Sequence, residues 1–127
     1  MTLQDIDVIL ALLAEQFPGC FTTEWHLPHR PLKIGIDRDL AERCPALDRR
    51  ERGAVMRCYT SRLMYLQSLV EGAVRIDLDG SPAGEVTAKE AEFAAARFAG
   101  ILAARAAKRV AAKAVQAQGS TVQPPVT

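Results

Sequence analysis

The stretch YTSRLMYLQSLVEGAVRIDLDGSPAGE, residues 59–85, decides the fold because its hydrophobic period changes partway. Leu63, Leu66 and Val70 recur at helical spacing, with Leu69 at one edge, and predict a helix over 62–70. Thr60-Ser61 can cap its start, and Gly72 suits the left-handed residue that closes it. Tyr65 lies well off the apolar stripe, which leaves it either half exposed or turned toward a ligand. From Arg75 the pattern alternates through Ile76, Asp77 and Leu78 into Asp79-Gly80, a dipeptide favoured in tight hairpin turns. Gly84-Glu85-Val86 supplies a short return strand. A helix running into a hairpin argues for an α+β chain with a small sheet.

The upstream segments are mostly helical. Asp48-x-x-Glu51 is a capping signal for a helix to about Tyr59. At 100° per residue, Val55, Cys58 and Tyr59 share one side, while Arg49, Arg50, Gly53 and Arg57 gather about half a turn away. Tyr59 therefore belongs to the core, and the three arginines form a basic ridge. Before it, Pro31-Leu32-Lys33-Ile34-Gly35-Ile36 reads as a short extended piece feeding a helix near Asp37–Arg43, which Pro45 ends. Thr2-x-x-Asp5 opens a first helix with Ile6, Ile9, Leu10 and Leu13 on one stripe, stopped by Pro18-Gly19. After the hairpin, Thr87-x-x-Glu90 opens a last helix carrying Ala91, Phe93, Ala94, Phe98, Ile101 and Leu102. It turns Ala-rich and basic through Lys113. The Ser/Thr/Pro-rich tail from Gly119 to Thr127 is expected to be disordered.

The 127 residues suffice for one domain with a genuine core. The net charge of +1 conceals strong segregation. Residues 1–29 hold four acids and no Lys or Arg, whereas residues 30–75 hold ten bases against six acids. Residues 76–96 hold five acids and Lys89, and residues 97–127 hold five bases and no acid. A polyanion responds to such local density and not to the total. Three widely spaced cysteines (Cys20, Cys44, Cys58) make a disulfide framework unexpected. No apolar run approaches membrane-span length, and a soluble cytoplasmic protein is the expectation.

Catalytic constellations are missing. Cys20, His26 and His29 lack the second paired ligand that a zinc site needs. Asp77-x-Asp79-Gly80 fails as a calcium loop, since Ser81 and Ala88 occupy the fifth and twelfth positions. Ser61 and Ser68 have no nucleophile-elbow context, and no Gly-rich phosphate loop ends in Lys-Ser/Thr. The chain is therefore expected to be no enzyme and to carry no metal or cofactor. What remains is cationic: Arg30 and Lys33 on the extended segment, Arg49, Arg50 and Arg57 on the ridge, and Arg75 opening the hairpin. Thr60 and Ser61 mark a helix N-terminus whose free backbone N–H groups suit a phosphate, and Arg62 follows them as a further candidate. Tyr65 could stack on a base. These residues point to nucleic-acid binding without choosing RNA over DNA.

Several of the same residues carry a family resemblance. Phe17-Pro18-x-Cys20-Phe21, then Arg30-Pro31-Leu32-Lys33-Ile34-Gly35-Ile36-x-x-Asp39-Leu40, then Tyr59-Thr60-Ser61-x-x-x-Tyr65-Leu66, then Gly72-Ala73-x-Arg75-Ile76-Asp77-Leu78-Asp79-Gly80-x-Pro82-x-Gly84-Glu85 resembles the ProQ/FinO domain, in order from about Ile6 to Phe98. The resemblance implies a mainly helical domain with a small sheet, acting as an RNA chaperone in small-RNA-based post-transcriptional regulation. It implies structured RNA partners, namely small RNAs and mRNA 3′ ends with terminator-like hairpins and a U-rich 3′ tail. Residues matching Lys33, Arg57, Tyr65 and Arg75 would line a concave binding face, with the 3′ end held near Thr60-Ser61. Gly53, Met64 and Val70 stand where relatives carry basic residues, which leaves Arg49, Arg50 or Arg52 to supply charge on the ridge.

The expected organisation is a binding domain over 1–103, a basic Ala-rich helical extension over 104–118 and a tail over 119–127, in a monomer. A competing reading makes the Ala-rich helix, with Phe98, Ile101 and Leu102, a protein-interaction surface. The basic stretch Arg105 to Lys113 offers a further source of RNA affinity.

Overall fold

The computed structural model describes residues 2–121. Its order is α1 (Leu3–Gln16), α2 (Ile36–Arg43), α3 (Arg49–Thr60), α4 (Leu63–Ser68), β1 (Val74–Ile76), β2 (Pro82–Glu85) and α5 (Ala88–Thr121). The expected architecture, mainly α with one small antiparallel sheet, is the one observed.

The helix starts follow from local chemistry. Thr2 and Asp5 form a reciprocal capping box on α1, as do Asp48 and Glu51 on α3. Thr87 and Glu90 exchange the same pair of bonds at the start of α5, at 2.9 and 3.2 Å. Each box satisfies two backbone N–H groups that would otherwise lack partners.

The hairpin closes through Gly80, whose φ of 80° is unfavourable for any residue with a β-carbon. A second constraint acts on the same residue: a β-carbon there would lie 3.2 Å from the Gly19 carbonyl oxygen. Asp77 completes the turn by accepting the N–H groups of Asp79 and Ser81. In the sheet Val74 faces Glu85 and Ile76 faces Pro82. The extended segment before α2 adds a parallel bridge between Leu32 and Ile76. Its bonds run from the Ile76 N–H to the Pro31 carbonyl at 2.9 Å and from the Lys33 N–H to the Ile76 carbonyl at 2.8 Å.

The core joins Ile9, Leu10, Leu13 and Phe17 of the α1 region to Leu32, Ile36, Leu40, Val55, Tyr59, Ile76 and Leu78. It also contains Tyr65, which corrects one expectation. The single-stripe reading placed Tyr65 outside the core and Val70 within it, whereas Tyr65 is 5% exposed and Val70 is 57% exposed. The cause is that α4 is short and buried on two sides. Tyr65 turns toward Tyr59, with ring centroids 5.8 Å apart, while Leu66 faces Phe98 across a groove to α5. Val70 lies past the end of the helix. A stripe argument presumes one buried face, and a wedge between two layers has two.

Beyond Ile101, every residue of α5 from Leu102 to Ala117 is exposed. The helix itself continues to Thr121, and residues 122–127 of the expected tail lie outside the described residues.

Candidate nucleic-acid interface

The α3 capping box starts that helix at Arg49, and the α-helical period then puts Arg49, Arg50, Gly53 and Arg57 along one side. With Arg52, Met56 and the Gly35–Asp37 corner of α2 they line an open groove of about 810 Å³. Arg49, Arg50 and Arg57 are exposed, and among the described residues none has a hydrogen-bond or ion-pair partner for its guanidinium. Arg52, which the sequence reading had only as a substitute, donates to the Leu47 carbonyl at 2.8 Å and braces the wall. Asp37 is the acid in the lining. Nothing lies within 4 Å of a β-carbon built on Gly53, so the groove floor is open there.

Lys33 sits at the end of the docked extended segment, half buried and 2.8 Å from Asp39. That carboxylate bond holds the lysine above its usual pKa. Its charge is thus already answered within the protein, unlike those of the three arginines. Arg30 is exposed and donates to the Gly19 carbonyl at 3.1 Å.

The α3–α4 corner differs from the expected cap. Thr60 is the last residue of α3, and its hydroxyl donates back to the Met56 carbonyl at 2.7 Å. Ser61 accepts from Arg97 of α5 at 3.0 Å. Arg62 is the residue preceding α4, and no side chain caps that helix. The Thr60-Ser61 cap is therefore corrected: α3 runs one residue further than expected and draws the threonine into its own final turn. Arg97 was missed as part of this corner. It lies seven residues after Glu90 on nearly the same line of α5, a periodicity that could have found it.

Arg62 is half buried and heavily engaged. It donates to the Thr22 carbonyl at 3.2 Å, approaches His29 Nε2 at 3.3 Å and lies over the Tyr59 ring. Because arginine only donates, His29 Nε2 must accept, and Nδ1 carries the proton toward the Leu27 carbonyl at 2.7 Å. Burial lowers the His29 pKa against the pull of that carbonyl, and the Arg62 charge lowers it further. The candidate metal triad does not assemble: both His29 nitrogens are engaged, and burial pushes the Cys20 thiol to about 12. Among the described residues no group of three metal-ligating side chains exists.

Tyr65 and Arg75 lie beneath the surface. The Tyr65 hydroxyl accepts the Leu32 N–H at 3.1 Å, and burial raises its pKa. Arg75 is 8% exposed; it donates to the Leu32 carbonyl at 2.7 Å and pairs with Glu90 at 3.1 Å. Two side chains thus grip both backbone groups of Leu32, next to Lys33. Tyr65, expected to be half exposed or turned toward a ligand, is instead buried with Arg75 against Leu32, so both are set to hold the fold. Arg75 Nε, buried and without a protein partner, is the one polar side-chain atom of this kind among the described residues.

The arrangement offers positive charge and hydrogen-bond donors. No helix among the described residues is long and apolar enough to cross a membrane. Residues 3–111 match the ProQ/FINO family. The RNA chaperone ProQ of Haemophilus influenzae is 43% identical over 120 residues, covering 90% of this chain. The chain spans 58% of that relative's length. Among solved structures, the solution structure of a ProQ homolog from Legionella pneumophila superposes with a TM-score of 0.64 at 27% identity, covering 77% of this chain and 84% of that one. The crystal structure of a FinO-like RNA chaperone from Neisseria meningitidis gives a TM-score of 0.60, also at 27% identity, covering 74% of this chain and 80% of that one.

Proposed function

This chain belongs to the ProQ/FINO family, and on that premise we propose that it binds structured RNA as a chaperone, through the groove between α2 and α3. Two of the relatives, from Haemophilus influenzae and Neisseria meningitidis, are named as RNA chaperones, and the chain is not an enzyme. The observation that carries the reading is the set of unpaired arginines, Arg49, Arg50 and Arg57, along one side of an open concavity. Exposed guanidinium groups without protein partners suit phosphate oxygens, which accept paired donors in the plane of the fork. In this reading Tyr65 and Arg75 are positioning residues. They fix Leu32, which precedes Lys33 and the Gly35–Asp37 corner that lines the groove.

The preferred RNA is a terminator-like hairpin with a U-rich 3′ end, as in small RNAs and mRNA 3′ ends, and the context is small-RNA-based regulation. The first-turn N–H groups of α4, free of a capping side chain, are offered to the 3′ end beside Ser61 and Arg62. The test is competition between one hairpin with its 3′ U-tail and the same hairpin without it. The tailed form is expected to bind at least about tenfold more tightly, with affinity falling steeply as salt rises. Equal affinity for the tailed hairpin and a tailless DNA duplex of the same length would remove both the RNA and the 3′-end preference.

A further inference from the structure

The side of α5 that packs on the domain continues past the domain edge as a row of cations. At 100° per residue, Ala91, Ala94, Ala95, Phe98 and Ile101 lie within roughly 60° of the direction of Phe98. These residues are buried or half buried, or line the α4–α5 groove. Arg105, Lys108, Arg109 and Lys113 fall within roughly 80° of the same direction. All four are exposed, and none has a side-chain partner among the described residues. The opposite side, through Ala103, Ala107, Ala111 and Ala114, is uncharged. A helix rising ~1.5 Å per residue carries this stripe roughly 12 to 24 Å beyond Arg97, whose guanidinium is bonded to Ser61.

We propose that the C-terminal turns of α5 form an oriented basic arm that extends the RNA interface past the α3–α4 corner and grips the phosphate backbone of the bound RNA. The inference rests on the RNA-binding reading above and adds to it a second contact surface. Orientation is the substance of the claim. An arm acting through charge alone would work equally well with its cations on any side. An arm built into the interface needs them on the side that faces along α4, where an RNA leaving the Ser61 corner passes. The absence of any acid from Arg97 onward supports a polyanionic partner.

The test compares three full-length proteins on one tailed hairpin across a salt series. The first is the unaltered chain. The second carries Arg105→Gln, Lys108→Gln, Arg109→Gln and Lys113→Gln, which keep good helix formers. The third adds Ala103→Lys, Ala107→Arg, Ala111→Arg and Ala114→Lys to that set, restoring the charge on the opposite side. If the four cations meet phosphates, neutralisation lowers the salt slope by about 3, so that the unaltered chain loses about sixtyfold more affinity than the variant between ~50 and ~200 mM salt. The relocated protein is expected to behave like the neutralised one. Circular dichroism with equal helix content in all three shows that the arm has not unfolded. A neutralised chain with an unchanged slope overturns the arm, and a relocated chain that regains the original slope overturns its orientation. An unaltered chain without affinity for the hairpin overturns the RNA-binding reading itself, and the arm with it.

Discussion

Replacing Arg49, Arg50 and Arg57 together by Gln is expected to reduce hairpin affinity about a hundredfold near physiological salt while leaving thermal stability almost unchanged. The size follows from counterion release. Three phosphate contacts contribute about 2.5 to the salt slope, and carried from ~1 M down to ~0.15 M salt that is about a hundredfold. The neutrality toward stability follows from the structure, since the three guanidinium groups are exposed and hold nothing in place. Gln keeps the helix propensity of Arg nearly intact. Gly53→Arg is the converse. A β-carbon at this position meets nothing within 4 Å and Gly53 lines the groove, so the added cation is expected to tighten binding severalfold. Helix stability is expected to rise as well, by about 1 kcal/mol from removing a mid-helix glycine. Filter binding at four salt concentrations and a melting curve for each variant check both. A triple variant that binds like the unaltered chain would move the interface elsewhere.

Tyr65→Ala is expected to lower stability by about 3–5 kcal/mol, the range for emptying a large aromatic site in a core. At this size of domain that is a melting point lower by more than about 10 °C. The ring packs against Tyr59, and its hydroxyl is the partner of the Leu32 N–H. Tyr65→Phe separates the two contributions. It keeps the ring but leaves one backbone donor unpaired, at a cost of about 1–3 kcal/mol. Because Tyr65 acts through Leu32 in this account, the Phe variant should bind the hairpin within about threefold of the unaltered chain at a temperature where both are folded. A Phe variant that melts normally but loses tenfold or more in affinity would mean that the hydroxyl meets the RNA itself. Arg75→Ala is expected to act in the same direction as Tyr65→Ala, since it strips the Leu32 carbonyl and Glu90 of a shared donor.

The difference between these two classes of arginine and tyrosine also marks what the sequence could disclose. Helix starts were legible because their determinants lie three residues apart, as Thr2 with Asp5, Asp48 with Glu51 and Thr87 with Glu90 show. The hairpin was legible for the same reason, in Asp79-Gly80. The arginine ridge required only the helical period. Tyr65 and Arg75 required more. Their burial is set by Leu32, 33 and 43 residues away, and by a helix wedged between two layers. No local pattern carries that information. Lys33 is similar: its spacing to Asp39 was visible, but the ion pair depends on how the extended segment docks beside β1. The family resemblance supplied the RNA, while the geometry divides the named residues into those offered to a ligand and those that hold the frame.

Amide chemical-shift mapping with a tailed hairpin locates the RNA on the protein, and the α2–α3 groove is where it is expected to lie. The largest changes are expected at Gly35–Asp37 and along Arg49–Arg57, with a second set at the Ser61–Arg62 corner. The apolar pocket formed by Leu12, Gln16, Cys44 and Ala46 should stay quiet. Changes concentrated at that pocket, with the groove silent, would mean that the RNA binds elsewhere on the protein.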